Sequence, residues 1–196
     1  MSLRPVVLAL ALLLGGGLLA GCGGLNSSSS EATATPRSLA ALVIQYLPST
    51  PTAAYDAGLP GKTSAKVEFG PPDHPDSVTV SIEEIEPGEA DTLKKICVGC
   101  DITELEDGST MHVTRGDRLP GVGLGETKYV RVSIFHEREI VELTYEGRAI
   151  RVNGPEDDRP RLSVEALIEI AQDPSMGRTT VQGFVDQGDE ISVWRD

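Results

Sequence analysis

Alternating apolar and polar residues in two adjacent segments constrain the fold of this chain more than any other feature. Val130, Val132 and Ile134 alternate with polar residues, residues 136–138 can turn, and residues 140–145 form a second apolar run. A repeat of two residues places the apolar side chains on one face of a β-strand. The pair of runs therefore predicts an antiparallel hairpin with one buried face.

A second hairpin is predicted around a short acidic turn. Residues 102–105 and 111–114 have the composition of strands, and they flank Glu106-Asp107-Gly108-Ser109. The Asp-Gly pair supplies the positive φ angles that a tight hairpin turn requires. Closer to the N-terminus, residues 65–69 and 77–85 also predict strands, because their apolar residues alternate with polar ones.

The clearest helix is predicted at residues 161–172. Ser163 can cap its first turn, and Asp173-Pro174 ends it. Its apolar face is formed by Val164, Leu167, Ile168 and Ala171.

A shorter helix is predicted at residues 38–47, with Ser38 as its cap and Pro48 as its end. We consider two positions for its apolar face, which either packs on the domain or lies on the surface of a membrane. Packing is favoured, since the polar face lacks the basic residues typical of a membrane-surface helix. Residues 48–61 are rich in Pro, Thr, Ala and Gly, and they predict a second linker.

Together these elements predict an α+β fold. We expect an antiparallel sheet of about five to six strands, with the C-terminal helix packed on one face and a flexible tether before it. Either residues 181–185 or residues 190–194 supply a last strand. The length of 196 residues fits a single domain, which we place at residues 62–196.

The N-terminal segment has the order of an export signal. Arg4 precedes the apolar run at residues 6–14, and Leu19-Ala20-Gly21-Cys22 follows. The run is shorter than the ~20 apolar residues that cross a bilayer as a helix. The last four residues resemble the lipobox of bacterial lipoproteins. This resemblance implies a signal peptide at residues 1–21 and acylation of Cys22, which would hold the protein on the outer face of the cell membrane.

Two other interpretations of this segment are an ordinary signal peptide cut elsewhere and an uncleaved anchor. In the lipoprotein interpretation, residues 22–61 form a lipidated tether that contains the short helix. From Gly23 to Arg37 the chain has almost no apolar content, which is typical of a flexible segment.

Charge and composition exclude several classes of partner. The formal net charge is −13, so the surface should repel nucleic acid and anionic lipid headgroups. Aromatic residues make up 4% of the chain, too few for base-stacking platforms or an aromatic carbohydrate groove. The remaining candidates are the membrane through the lipid anchor, another envelope protein and a small ligand.

Cys97 and Cys100 form the only internal cysteine pair if Cys22 is acylated. A structural disulfide is favoured over redox chemistry and over metal binding. Thiol oxidoreductases place the attacking cysteine at a helix N-terminus, whereas this pair follows a predicted helix at residues 91–96 with Gly99 as its C-terminal cap. That position should raise the thiol pKa, although Lys94 and Lys95 would offset the effect.

The sequence predicts neither a metal site nor a cofactor. Only His112 lies near the cysteine pair, and His74 and His136 are remote, so no set of four ligands is apparent. Catalytic motifs are also incomplete: residues 59–63 end like a phosphate-binding loop, but Asp56 stands where that loop requires glycine. We therefore expect a protein that is not an enzyme and has no catalytic residues.

The second half of the chain carries a family resemblance. The Asp107-Gly108-Ser109 turn, the strand pair after it and the helix ending in residues 167–174 resemble uncharacterised exported lipoproteins of actinobacteria. The likeness covers roughly residues 95–175, and that family has no known site to transfer. We expect a lipid-anchored interaction, sensory or ligand-binding module. The alternative is an envelope thiol-disulfide oxidoreductase that uses Cys97 and Cys100.

Overall fold

The computed structural model describes residues 30–72, 75–116, 127–148 and 162–196. These residues form nine strands and four helices. The strands are β1 (Glu31–Thr33), β2 (Pro51–Asp56), β3 (Lys62–Phe69), β4 (Asp76–Glu84), β5 (Asp101–Glu104), β6 (Thr110–Gly116), β7 (Thr127–Phe135), β8 (Glu139–Arg148) and β9 (Thr179–Val181). The helices are α1 (Pro36–Tyr46), α2 (Glu89–Leu93), α3 (Val164–Ala171) and α4 (Gln182–Asp189).

Seven strands form one antiparallel sheet in the order β2-β3-β4-β8-β7-β6-β5. A separate two-stranded sheet pairs β1 with β9. The α+β prediction is confirmed, and both predicted hairpins are present as β5-β6 and β7-β8. The large sheet has one strand more than the highest number expected.

The additional strand is β2, which lies within the predicted linker at residues 48–61. That linker prediction is wrong, because Pro51–Asp56 pairs with β3 and buries Ala53 and Ala54 completely. The segment contains small residues and begins with proline, which an edge strand tolerates at its first position. The boundary predicted at residue 62 consequently falls between two paired strands.

One face of the large sheet forms the main core. The register aligns a row of five buried residues across five strands, and residues directly opposite one another share a face. The row is Ala65, Val80, Leu143, Val132 and Val113. Helices α1 and α3 pack on this face through Leu42, Leu167 and Ile170, all fully buried.

Helix α1 packs on the sheet, as favoured, but it is capped by Thr35 rather than by Ser38. Thr35 Oγ1 accepts from the Ser38 backbone N–H at 3.1 Å, and Ser38 Oγ accepts from the Thr35 N–H at 2.8 Å. This reciprocal pair is a capping box, with Pro36 in the first turn. Strand β1 and the start of α1 lie within the segment from Gly23 to Arg37 that the sequence predicts to be flexible, so this prediction is wrong for residues 31–37.

The C-terminal residues differ from the predicted last strand. Only Val181 of residues 181–185 lies in a strand, and Gln182–Asp189 is helix α4. Residues 190–194 contribute a single parallel bridge between Trp194 and Ala54. In α3, Ser163 is the N-cap as predicted, while Arg161 lies outside the described residues.

Candidate functional site

A loop with two cysteines joins α2 to the edge strand β5 on the second face of the large sheet. We define the cysteine loop as residues 96–102. Cys97 and Cys100 form a disulfide with their Cα atoms 6.0 Å apart. Helix α2 ends at Leu93, and the backbone of Lys94 closes it through a bond from its N–H to the Ala90 carbonyl.

The cysteine pair follows a helix, as expected, but Gly99 is not its cap. Gly99 lies between the two cysteines with a φ of +76°, in the left-handed region that favours glycine. It therefore shapes the turn of the loop. Both cysteines follow the C-terminal end of α2 in the chain, whereas a helix dipole stabilises a thiolate at the N-terminal end.

Three large apolar side chains of the cysteine loop are exposed. Ile96 exposes 70% of its surface, Val98 exposes 95% and Ile102 exposes 55%. Both cysteines, in contrast, are half-buried. We call the three side chains, which flank the two cysteines in the sequence, the apolar rim.

Strand β5 leaves one edge of the large sheet open. Its four residues are all exposed, and within the described ranges no strand pairs with its outer side. At the opposite edge the C-terminal segment covers β2: the Ala54 N–H donates to the Val193 carbonyl at 3.1 Å, and the Arg195 N–H donates to the Ala54 carbonyl at 2.8 Å. Of the two edges of the large sheet, the β5 edge is therefore the one to which no described segment is hydrogen-bonded.

His112 of β6 lies beneath the cysteine loop. It is the register partner of Ile102, so the two side chains share the second face of the sheet. His112 exposes only 5% of its surface. The centroid of its ring lies 4.7 Å from the ring centroid of Phe135. Its Nε2 atom is buried and has no hydrogen-bond partner among the described residues.

The structure brings His112 to both cysteines. One ligand atom from each of Cys97, Cys100 and His112 lies within 4.8 Å of the other two. Burial lowers the pKa of His112, and the positive charge of Lys94 lowers it further. Both effects favour the neutral imidazole, which has a free lone pair for a proton or a metal ion.

Sequence spacing identified His112 as the nearest histidine but did not predict this convergence, since the contact depends on the pairing of β5 with β6. His136 lies instead at the β7-β8 turn, with its Nδ1 atom 3.9 Å from Asp107 Oδ2. His74 and Cys22 lie outside the described residues.

The surroundings of the β5 edge are acidic. Asp101, Glu104 and Glu106 are exposed, and Asp101 forms an ion pair with Arg115. Asp107 belongs to the turn itself, because its Oδ1 accepts from the Ser109 N–H at 2.9 Å and from the Ser109 hydroxyl at 2.6 Å. These bonds lower the pKa of Asp107, so its negative charge persists to lower pH.

A cleft on the surface is a second place where a small ligand could lie. Its volume is about 650 Å³, and it runs between the β5-β6 turn and the C-terminal end of α3. Glu106, Glu139 and Asp173 contribute carboxylates to its lining. A ligand in this cleft would therefore be cationic or neutral.

Comparisons with known proteins find no matching family model, no matching curated protein and no matching solved structure. Among the described residues, no helix is long and apolar enough to span a membrane.

Proposed function

We propose that this protein is a lipid-anchored, extracytoplasmic interaction module without catalytic activity. Its partner is another envelope protein, which contributes an extended segment of alternating apolar and basic residues. That segment adds a strand to the open edge of β5 and covers the cysteine loop.

The exposed apolar rim carries this proposal. Clustered exposed apolar side chains are typical of interaction sites, and here Ile96, Val98 and Ile102 are all exposed within seven residues of the chain. A disulfide within the loop limits its conformations, so less entropy is lost when a partner binds. The rim is thus suited to docking.

The outer side of β5, with which no described strand pairs, supports the extended form of the partner. A strand that adds to a sheet edge gains main-chain hydrogen bonds, and its alternate side chains reach one face. On the second face of the sheet these side chains would meet Ile102, the register partner of His112. An apolar residue at every second position suits this surface.

The charge of the molecule supports basic residues in the partner. Asp101, Glu104 and Glu106 are exposed near the edge, and the chain carries a net charge of −13. Complementary charge accelerates association and disfavours acidic competitors.

Membrane anchoring rests on the lipobox resemblance at Cys22. Eight residues separate Cys22 from Glu31, the first residue of β1. Eight residues span at most about 25–30 Å, so an anchored protein would hold its folded part close to the membrane. Cys22→Ala should abolish fatty-acid incorporation, and a wild-type N-terminal peptide without lipid mass would contradict the proposal.

Site-specific cross-linking in producing cells tests the docking surface. A photo-cross-linking residue in place of Val98 should yield a discrete adduct with one envelope protein. Mass spectrometry of the adduct should identify an extended basic and apolar segment. The matched control places the same residue at Leu59, which is also exposed but lies in the β2-β3 turn.

Replacing Ile96, Val98 and Ile102 together by serine should remove the partner in a pull-down, while Leu59→Ser should retain it. Equal cross-linking from positions 98 and 59, or adducts with lipid alone, would overturn the docking proposal.

The position of His112 favours one second candidate, a thiol-disulfide oxidoreductase. An imidazole beside a thiol can accept its proton and stabilise the thiolate. Titration of the purified protein in glutathione and dithiothreitol buffers tests this candidate. Reversible reduction above about −270 mV, together with a thiol pKa near or below ~7, would support redox catalysis. A reduction potential of the disulfide below about −270 mV would exclude this candidate and favour the interaction module.

A further inference from the structure

We propose that reduction of the Cys97–Cys100 disulfide creates a Zn²⁺ site formed by two thiolates, the His112 imidazole and one open coordination position. The three ligand atoms already lie within 4.8 Å of one another. The inference does not rest on the docking function, since its ligands lie beneath the exposed rim and need no partner.

The types of ligand favour zinc. Thiolate sulfur and neutral imidazole nitrogen are the usual zinc ligands, with bonds of about 2.3 Å and 2.0–2.1 Å. In a tetrahedron these bonds separate neighbouring ligand atoms by about 3.5–3.8 Å. The sulfur-to-nitrogen separations exceed about 3.5 Å by at most about 1.3 Å. The two sulfurs are now bonded to each other and move apart once that bond is broken. The site can therefore close by adjustment of the loop.

His112 provides the independent observation. A buried polar atom without a partner is uncommon and costs free energy, and the Nε2 atom of His112 is such an atom. The ring is held in place by Phe135 and by its position in a central part of β6. A buried imidazole and two sulfurs within 4.8 Å of one another supply three of the four ligands that a zinc site needs.

Charge balance also favours a divalent ion. Two thiolates and one neutral imidazole carry a charge of −2, which Zn²⁺ neutralises, so no net charge is left in the half-buried loop. Water fills the fourth position, because the described residues supply three ligands within the cluster. The open position is typical of zinc sites that exchange ligands.

The chemistry requires an external two-electron reductant, for example a dithiol. The dithiol transfers two electrons and two protons, the Cys97–Cys100 bond breaks, two thiols form, and the dithiol becomes a disulfide. Zn²⁺ then displaces both thiol protons into solvent and forms two zinc–sulfur bonds and one zinc–nitrogen bond. The disulfide and the zinc form exclude each other, so metal binding depends on the redox state.

Titration of the full chain with Zn²⁺ tests this site. The chain carries Cys22→Ser, which removes the only other cysteine, and detergent is present for its apolar N-terminal segment. A phosphine reductant replaces thiols, which would compete for the metal. The reduced protein should bind one ion per chain, and the oxidised protein should bind it at least about a hundredfold more weakly, because metal ligation requires thiolate. Co²⁺ in place of Zn²⁺ should give a sulfur-to-metal charge-transfer band.

Two histidine variants separate the site from adventitious binding. His112→Gln should weaken Zn²⁺ binding by about tenfold or more through the loss of a ligand, and His136→Gln should leave the affinity unchanged. The melting temperature of each oxidised variant reports whether it is folded. If His112→Gln does not fold, the Cys97→Ser variant provides the second test and should lose both affinity and the cobalt band.

Three results would overturn the proposal. The first is a reduced protein that binds no Zn²⁺, and the second is binding that His112→Gln or Cys97→Ser leaves unchanged in a folded protein. The third is equal affinity in the oxidised and reduced states.

Discussion

At the scale of single residues, Thr35 determines where the first long helix begins. Its hydroxyl oxygen accepts a hydrogen bond from the Ser38 N–H, and the Ser38 hydroxyl oxygen accepts one from the Thr35 N–H. Two backbone donors at the start of the helix are therefore satisfied. We expect Thr35→Ala to lower the free energy of unfolding by about 1 kcal/mol. Urea denaturation measures the change.

Thr35→Ser is the matched control for this cap, since serine retains the hydroxyl and should keep nearly full stability. Equal losses from the alanine and serine variants would show that the methyl group, and not the hydrogen bond, stabilises the helix start.

The hydroxyl of Tyr46 makes the free energy of unfolding depend on pH in the alkaline range. Its hydroxyl donates to Asp173 Oδ2 at 2.7 Å, and this bond, with burial and the negative charge of Asp173, raises the pKa of Tyr46 to about 12. Because the folded-state pKa exceeds the ordinary value of 10.0, the contribution is fully present below about pH 10 and is lost as the pH rises to about 12. The free energy of unfolding should therefore fall in this window.

Tyr46→Phe should reduce that pH dependence and should lower stability at neutral pH. Tyr55→Phe is the comparison, because burial and the bond to Glu68 raise the pKa of Tyr55 to about 12 as well. Denaturant titrations at neutral and alkaline pH measure both. A wild-type stability that stays constant from about pH 10 to about pH 12 would contradict the assignment.

The residue scale also shows which local signals can be found in a sequence. Ser163 was predictable as a cap, since a clear apolar repeat follows it. Ser38 resembles a cap because the apolar residue Leu39 follows it. Pro36 is the better indicator, since proline is common in the first turn and here marks a helix that starts earlier. His112 had no local signal, because its contact with the cysteines depends on strand pairing.

At the scale of elements, α3 shows which side of a helix the sheet covers. Leu167 and Ile170 are fully buried, whereas Ile168, predicted to lie on the buried face, is only partly buried. Ile170→Ala and Leu167→Ala should each cost about 2–5 kcal/mol of stability.

Ile168→Ala is the internal control for α3. It removes the same atoms as Ile170→Ala from the same helix, but from a position in contact with solvent, so its cost should be clearly smaller. Thermal and denaturant unfolding of the three variants check the order. A larger loss at Ile168 than at Ile170 would place the buried face where the sequence predicted it.

The cysteine loop is an element that contributes little to the stability of the sheet. Its disulfide closes a loop of only four residues, for which chain entropy predicts a contribution of about 2 kcal/mol. Cys97→Ser with Cys100→Ser should lower stability by about that amount and leave the circular dichroism spectrum unchanged. Loss of the folded state in this variant would mean that the disulfide supports more than its own loop.

Strand β2 was not predictable from its own residues. Ala53 and Ala54 are small and weakly apolar, and Pro51 with Thr52 is typical of a linker. The strand pairs with β3 on one side and with the C-terminal residues on the other. The residues that bury Ala53 and Ala54 therefore lie outside the segment itself. The alternating strands β4, β7 and β8, in contrast, contain their own pattern, and their prediction is confirmed.

At the scale of the whole molecule, residues 31–46 and residues 179–196 pack together as part of one folded unit. Strand β1 pairs with β9, α1 packs against α4, and Arg37 lies 4.7 Å from the ring centroid of Trp194. Gly188 is part of this packing, because a Cβ atom there would lie 2.7 Å from the carbonyl carbon of Arg37. Contacts between segments this distant in sequence leave no local pattern, so the predicted start of the domain at residue 62 missed them.

Two truncations test where this unit begins. A chain that starts at residue 30 retains β1, α1 and β2, and it should unfold in one cooperative transition. A chain that starts at Lys62 loses α1, uncovers Leu167 and Phe69 in the core, and exposes the edge of β3. Because an unpaired edge and an open apolar face promote aggregation, the shorter chain should be insoluble or should lack a cooperative transition. Size-exclusion chromatography and thermal unfolding of both chains measure this difference, and a soluble, cooperatively unfolding chain from Lys62 would restore the boundary that the sequence predicted.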